Sequence, residues 1–436
     1  MKLEAVKHER LGCESSSLVS RVFALLVGGA LLASAYPSLA QTAYETPPKL
    51  KASKILPPAL LKGPVFHVDE EVVNDGYMNT YTIESQFGTF TANSDEELRI
   101  RVGEVNAIAK MDELARSEQF IKGVGKAGKD VLDSSKDLVF HPVETFKDTT
   151  GGVKAMFQSV RRGVGELGEE GGGVGSIDVG EMIGYSRAKR QYAAEFGVDP
   201  YSTNPVVQAQ LTRLSKAGFV GDVGAGAALG FLDGGVGMTM SVLGNLQTLK
   251  EELRDKSPDE LRELNEKRLR AMGVEQSVID LYLGNYVFSP TYQTAFVSAL
   301  DEIHGAADRG QFVKVAVLAK DEDQALFRLF QARMYANYHK SVKPIQAFVL
   351  VSKLLVVAAR TPDGALVVNV PADDVFFTSS LADFFEAARS GLDNVPGVSR
   401  KELWIAGGMS PTARKWLTDS GWQVHTDARK QLLSGT

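Results

Sequence analysis

The single cysteine of this 436-residue chain, Cys13, lies ahead of an apolar run, so everything beyond that run must fold without a disulfide or a thiolate-bound metal. The run follows Arg21 and reads VFALLVGGALLASAYPSLA from Val22 to Ala40. It has a basic flank, an apolar centre of about 12 residues and a small-x-small end at Ser38-Leu39-Ala40. A transmembrane helix needs about 20 apolar residues, and Pro37 breaks the far end of this one. The expectation is a secretory signal, residues 1–40, cleaved near Ala40, with the mature chain exported to the periplasm or associated with the envelope. Folding then rests on apolar burial alone, and with 44% apolar residues there is material for about two or three ordinary domains. Taking the signal's four Lys/Arg and three Asp/Glu from totals of 48 and 54 leaves a net charge near −7, which argues against nucleic acid as a partner.

Periodicity divides the rest. Residues 41–64 carry five prolines and four lysines without helix or strand period and read as a mobile tether. Residues 65–117 read as a three-stranded antiparallel meander, turned at Asn74-Asp75-Gly76 and again at Gly88, followed by a helix that Ser94 and Glu97 open as a capping box. Residues 118–176 are glycine-containing but helical in period. Phe120 and Val124 begin one apolar stripe, Phe157 and Val160 lie in a second, and the spacing of eleven is the kind that lays amphipathic helices on lipid surfaces. Residues 177–343 read as a helical region. Within it, 217–249 is nearly all small or apolar, and Gly226, Gly230 and Gly234, spaced by four, form a glycine zipper suited to close backbone approach. Residues 344–436 turn to α/β: a long apolar strand over 348–359, a turn at Asp363-Gly364, a helix from Thr378, a strand at 402–406, a helix from Ser410-Pro411 and a strand at Trp422. The fold class expected is α+β, predominantly helical, with a small N-terminal antiparallel β meander and a C-terminal α/β module.

Chemistry is sparse. The mature histidines, His67, His141, His304, His339 and His425, stand outside metal-ligand spacing, so neither a metal nor a cofactor is expected. Gly407-Gly408-Met409-Ser410 lies between a strand and a helix but lacks the spacing of a dinucleotide or P-loop fingerprint, and a small-molecule ligand is not expected. Two fragments, GVDPYSTNP and ELWIAGGMSPTARKWLTDSGW, are distinctive without naming an activity. The reading is a non-enzymatic, envelope-associated interaction or scaffold protein that meets a protein partner or a membrane surface through residues 118–249. An exported hydrolase with Ser410 and His425 in the C-terminal module is the alternative.

Overall fold

Buried and exposed residues alternate along the first sheet, as a half-buried strand requires. The computed structural model describes residues 43–134, 179–229, 246–351 and 356–433, so the signal, Phe157, Val160, Gly230 and Gly234 lie outside the described residues. Residues 45–436 cluster as one unit, the one described here.

The expected tether is folded. Strand β1 (Leu50–Lys51) pairs antiparallel with a later strand, and two single-turn helices, α1 (Ala52–Ile55) and α2 (Pro58–Leu61), follow, with Ala52 and Leu56 buried. Pro58 at the second helix's first turn lacks only an N–H that the helix would leave unused, so Pro57 and Pro58, two of the five prolines that suggested a spacer, mark a helix start. Strands β2 (Phe66–Val68), β3 (Glu71–Asn74), β4 (Asn79–Ser85) and β5 (Gly88–Ala92) complete a five-stranded antiparallel sheet in which β4 pairs with β2, β3 and β5. Both turns fall where expected, and Gly76 sits at a φ of 119° that side-chain-bearing residues rarely adopt. Helix α3 (Asp95–Arg116) starts at Ser94, whose side chain accepts from the Glu97 amide. The Glu97 carboxylate reaches the Asn93 amide at 2.7 Å.

Helix α4 (Glu118–Ser134) corrects the lipid-surface expectation. Phe120 and Val124 are buried, packed in one core with α3 and with helices α5 (Val179–Phe196) and α6 (Pro205–Val220). The narrow stripe is the α4 side of a helix–helix contact. Close backbone approach also occurs away from the expected zipper. A Cβ on Gly221 would stand 2.3 Å from the Val124 Cα, whereas Gly226, in the short helix α7 (Ala225–Leu229), is exposed with nothing within 4 Å of its Cβ position.

A helical layer follows: α8 (Leu246–Asp255), α9 (Pro258–Ala271), α10 (Gln276–Leu283), α11 (Pro290–Asp301), α12 (Gly310–Ala316) and α13 (Glu322–Ser341). Its boundaries obey local rules, with a complete capping box at Ser257/Glu260, an N-cap at Ser289, and Gly273 at φ 76° ending α9.

The expected single strand over 348–359 is a hairpin of β6 (Ala347–Val351) and β7 (Val356–Arg360), continued antiparallel by β8 (Ala365–Val370). After β9 (Asp374–Val375), helix α14 (Ser379–Asp393) leads to β10 (Arg400–Ile405), parallel to β8; after β11 (Gly408–Met409), helix α15 (Pro411–Asp419) leads to β12 (Trp422–His425), parallel to β10; α16 (Arg429–Leu432) ends the description. The order β12-β10-β8-β7-β6 has both crossovers stepping the same way, which puts α14 and α15 on one face. Val357, Ala359, Ala365 and Val367 pack with the helical layer, while Val356, Ala358, Leu366 and Val368 pack under α14 and α15. Both faces are covered, which is why these strands read as unbroken apolar runs. Edge-on rings tie the layer to the sheet, Phe312 to Tyr335 and Tyr335 to Phe348.

Candidate functional site

Ligands of parallel α/β sheets sit outside the carboxyl ends of the strands. Here that edge carries Asp373 and Asp374 after β8, Gly407-Gly408 after β10 and Asp427 to Arg429 after β12. Gly407 is demanded by packing, since a Cβ there would stand 1.8 Å from the Asp373 carbonyl oxygen, and its absence lets β11 pair with β9.

The N-terminal lobe enters this edge. Arg429 reaches Asp95 at 2.9 Å, Glu96 at 2.6 Å and Asp373 at 3.0 Å, so one guanidinium gathers three carboxylates from two lobes. Asp373, 2% exposed, also accepts the Asn79 amide at 3.0 Å and the Asp95 amide at 3.1 Å, capping the first turn of α3 from outside. The Asn79 side chain donates to Asp374 at 3.0 Å, and the Tyr81 hydroxyl donates to Asp95. Burial, then the neighbouring Asp95, pushes the Asp373 carboxyl well above the ordinary carboxylate range, and burial raises Asp374. Burial opposes the Arg429 charge, but Asp95, Glu96 and Asp373 hold it on.

A second buried network runs along α3. Arg101 bonds Glu97 and Glu104, both at 3.1 Å, and Thr203 at 3.2 Å; Thr203 donates to Glu322 at 2.8 Å, as does Tyr292 at 2.9 Å. Ser202 donates to Glu104, Asn204 donates to Glu104 at 3.0 Å while capping α6, and Thr291 donates to Asp199. The fragment GVDPYSTNP is therefore the polar joint between α3, α6, α11 and α13. Burial pushes Glu97 up to about 7 against the pull of Arg101, and burial pushes Asp199 up to about 7 although Thr291 and the Tyr201 amide donate to it.

The hydrolase candidates are engaged separately. Ser410 caps α15 by accepting from the Ala413 amide at 3.1 Å and donates to Glu45, whose carboxylate also accepts the Phe377 amide at 2.7 Å. His425 lies flat on Trp404, ring centroids 4.1 Å apart, and burial lowers its pKa. Two features escaped the sequence reading. The acid–arginine junction joins residues more than 300 positions apart, and no local signal marks such a pairing. The second is apolar surface. Leu281, Tyr286 and Leu318 are 62%, 45% and 48% exposed, at the end of the α10–α12 pair where Asn285 bonds the carbonyls of Val317 and Ala319 at 3.1 and 3.0 Å. Phe219 and Val220 are exposed at the end of α6.

No protein-family model, curated protein or solved structure matches the chain. No group of three or more His, Cys, Asp or Glu among the described residues could hold a metal ion, and none of the described helices is long and apolar enough to cross a membrane.

Proposed function

We propose that this is an exported, non-enzymatic interaction or scaffold protein of the cell envelope, docking a protein partner through the surface around Leu281, Tyr286 and Leu318. The observation that carries the reading is that exposed cluster. Three large apolar side chains stand exposed at one end of a helical pair, and water-facing apolar area of this kind marks contact sites, with the tyrosine the residue type that anchors them. The carboxyl edge of the sheet supports the non-enzymatic half, because the place where α/β proteins hold substrates is filled by the chain's own Asp95, Glu96 and Arg429.

The test is a crosslinked capture from envelope extract with the mature chain and with a Leu281→Ser/Leu318→Ser variant, together with flotation on vesicles of neutral and of anionic lipid. A partner held at fixed stoichiometry by the wild type and lost by the variant supports the reading. Flotation with lipid in place of a captured protein transfers the role to a membrane surface, with Phe219 and Val220 as the contact. A chain that captures nothing, floats nowhere and turns over an ester or amide substrate removes the reading.

A further inference from the structure

The apolar residues of α3 and α6 pack in one core and those of α11 and α13 in another, and among the described residues of α3 only Ile100 joins the second. Between the two cores lies the GVDPYSTNP joint. Glu97 and Glu104 of α3, Asp199, and Glu322 and Asp323 of α13 bring five carboxyl groups to it. Their shared cation is Arg101, 3.1 Å from Glu97, 3.1 Å from Glu104 and 3.5 Å from Glu322. Glu97, Glu104, Asp199 and Arg101 are all buried, so solvent screens little of the charge between them. Five ionised acids about one guanidinium would leave a negative excess out of water, which repulsion and lost hydration both oppose.

Two of the acids are placed to hold a proton. Asp199 accepts from the Tyr201 amide at 2.8 Å and from the Thr291 hydroxyl through Oδ1, while its Oδ2 is buried with no hydrogen-bond partner among the described residues. A carboxylate with one oxygen bare loses hydration that nothing replaces, and the neutral acid loses far less. The charges bearing on Asp199 are acidic, Glu104 from α3 and Glu322 from α13, beside the uncharged Tyr292 hydroxyl of α11. Arg190 of α5 and Asp259 of α9 act on the neighbouring Tyr201. Glu97 has Arg101 beside it on its own helix and meets Glu322 and Asp323 across the joint, where Asp321 stands next to Asp323. Burial, helped by these acidic neighbours, raises both Glu97 and Asp199 to about 7.

We propose that this joint is a proton-held clasp, closed in mild acid while Glu97 and Asp199 are neutral, whose segment 199–204 lets go of α11 and α13 as the medium becomes neutral and alkaline. The inference goes beyond the proposed partner surface, which uses none of these residues, and either can fail alone. An acid that ionises near 7 in the closed joint and near its ordinary value in an open, wetted one moves the balance toward the open form about tenfold per pH unit between those limits. Two such acids in one joint make the response steep.

Hydrogen exchange of the mature chain, followed by mass spectrometry with each rate divided by its intrinsic rate at that pH, reads the opening directly. Peptides covering 199–208 and 321–328 are expected to lose protection about a hundredfold or more between about pH 5 and about pH 8. At the upper pH they are expected to exchange ahead of peptides from 356–370 in the C-terminal sheet. Asp199→Asn keeps the oxygen that Tyr201 and Thr291 use and cannot ionise, and Glu97→Gln likewise stays neutral. Each is expected to recover about tenfold of the lost protection at about pH 8. Circular dichroism establishes that each variant is folded, and where one is not the other decides. The inference is overturned if 199–208 keeps its protection across the range, or if it exchanges only together with 356–370, so that the joint opens only when the chain unfolds. It is overturned equally if both variants lose protection as the wild type does, or if calcium or magnesium chloride restores at the upper pH the protection seen in acid, which would give these acids to a cation.

Discussion

Glu97 and Asp199 show how burial decides protonation residue by residue. Both titrate near 7 in the folded chain because they are out of water, and Arg101 beside Glu97 and Thr291 beside Asp199 recover only part of the shift. The unfolded chain releases both protons near pH 4. Between those limits the folded state holds protons that the unfolded state has lost. The contribution of these two acids is therefore complete at the acid end, falls as the pH climbs to about 7 and is flat above. The expected outcome is a melting temperature that declines from about pH 4 to about pH 7, with the decline reduced in Glu97→Gln and in Asp199→Asn. Thermal melts of the three proteins across that range check it. A decline of equal size in all three removes burial of these acids as its source.

At the scale of the element, the two-residue strands β9 and β11 are held together by what Gly407 lacks. Gly407→Ala puts a methyl group into the Asp373 backbone, which has no flexible side chain to move aside, and is expected to cost roughly 3 kcal/mol in a urea titration. Gly408→Ala meets only the Asp374 carboxylate, at 2.7 Å, and is expected to cost less because that side chain can rotate. Elements of this kind also show what a sequence makes legible. Ser94 and Ser410 were readable as caps because capping is settled within three residues. The apolar run over 348–359 was misread as one strand because a strand covered on both faces loses the alternation that would mark its reversal. The prolines of 41–64 suggested a spacer because the partners of Glu45 and Lys51, Phe377 and Glu71, are set by tertiary contact. Phe120 and Val124 showed the same amphipathic period that a lipid-facing stripe would show, and only the position of α6 distinguishes the two.

For the whole molecule the decisive group is Arg429. Replacing it with methionine keeps most of the side-chain volume but leaves Asp95, Glu96 and Asp373 buried without their cation, which is expected to cost about 3 to 5 kcal/mol. The loss falls on the joint between lobes, so denaturation followed by tryptophan emission, which reports the C-terminal sheet, is expected to separate from denaturation followed by far-ultraviolet dichroism, which reports all helices. Coincident curves for Arg429→Met would show that the lobes stay coupled without the charge.

Arg429 also sets an order of events. Its partners Asp95 and Glu96 precede it by more than three hundred residues. A chain emerging from its amino end presents those acids long before their counter-charge exists, so the two halves can latch only once Arg429 has been added. A product stopped before Arg429 keeps the joint open.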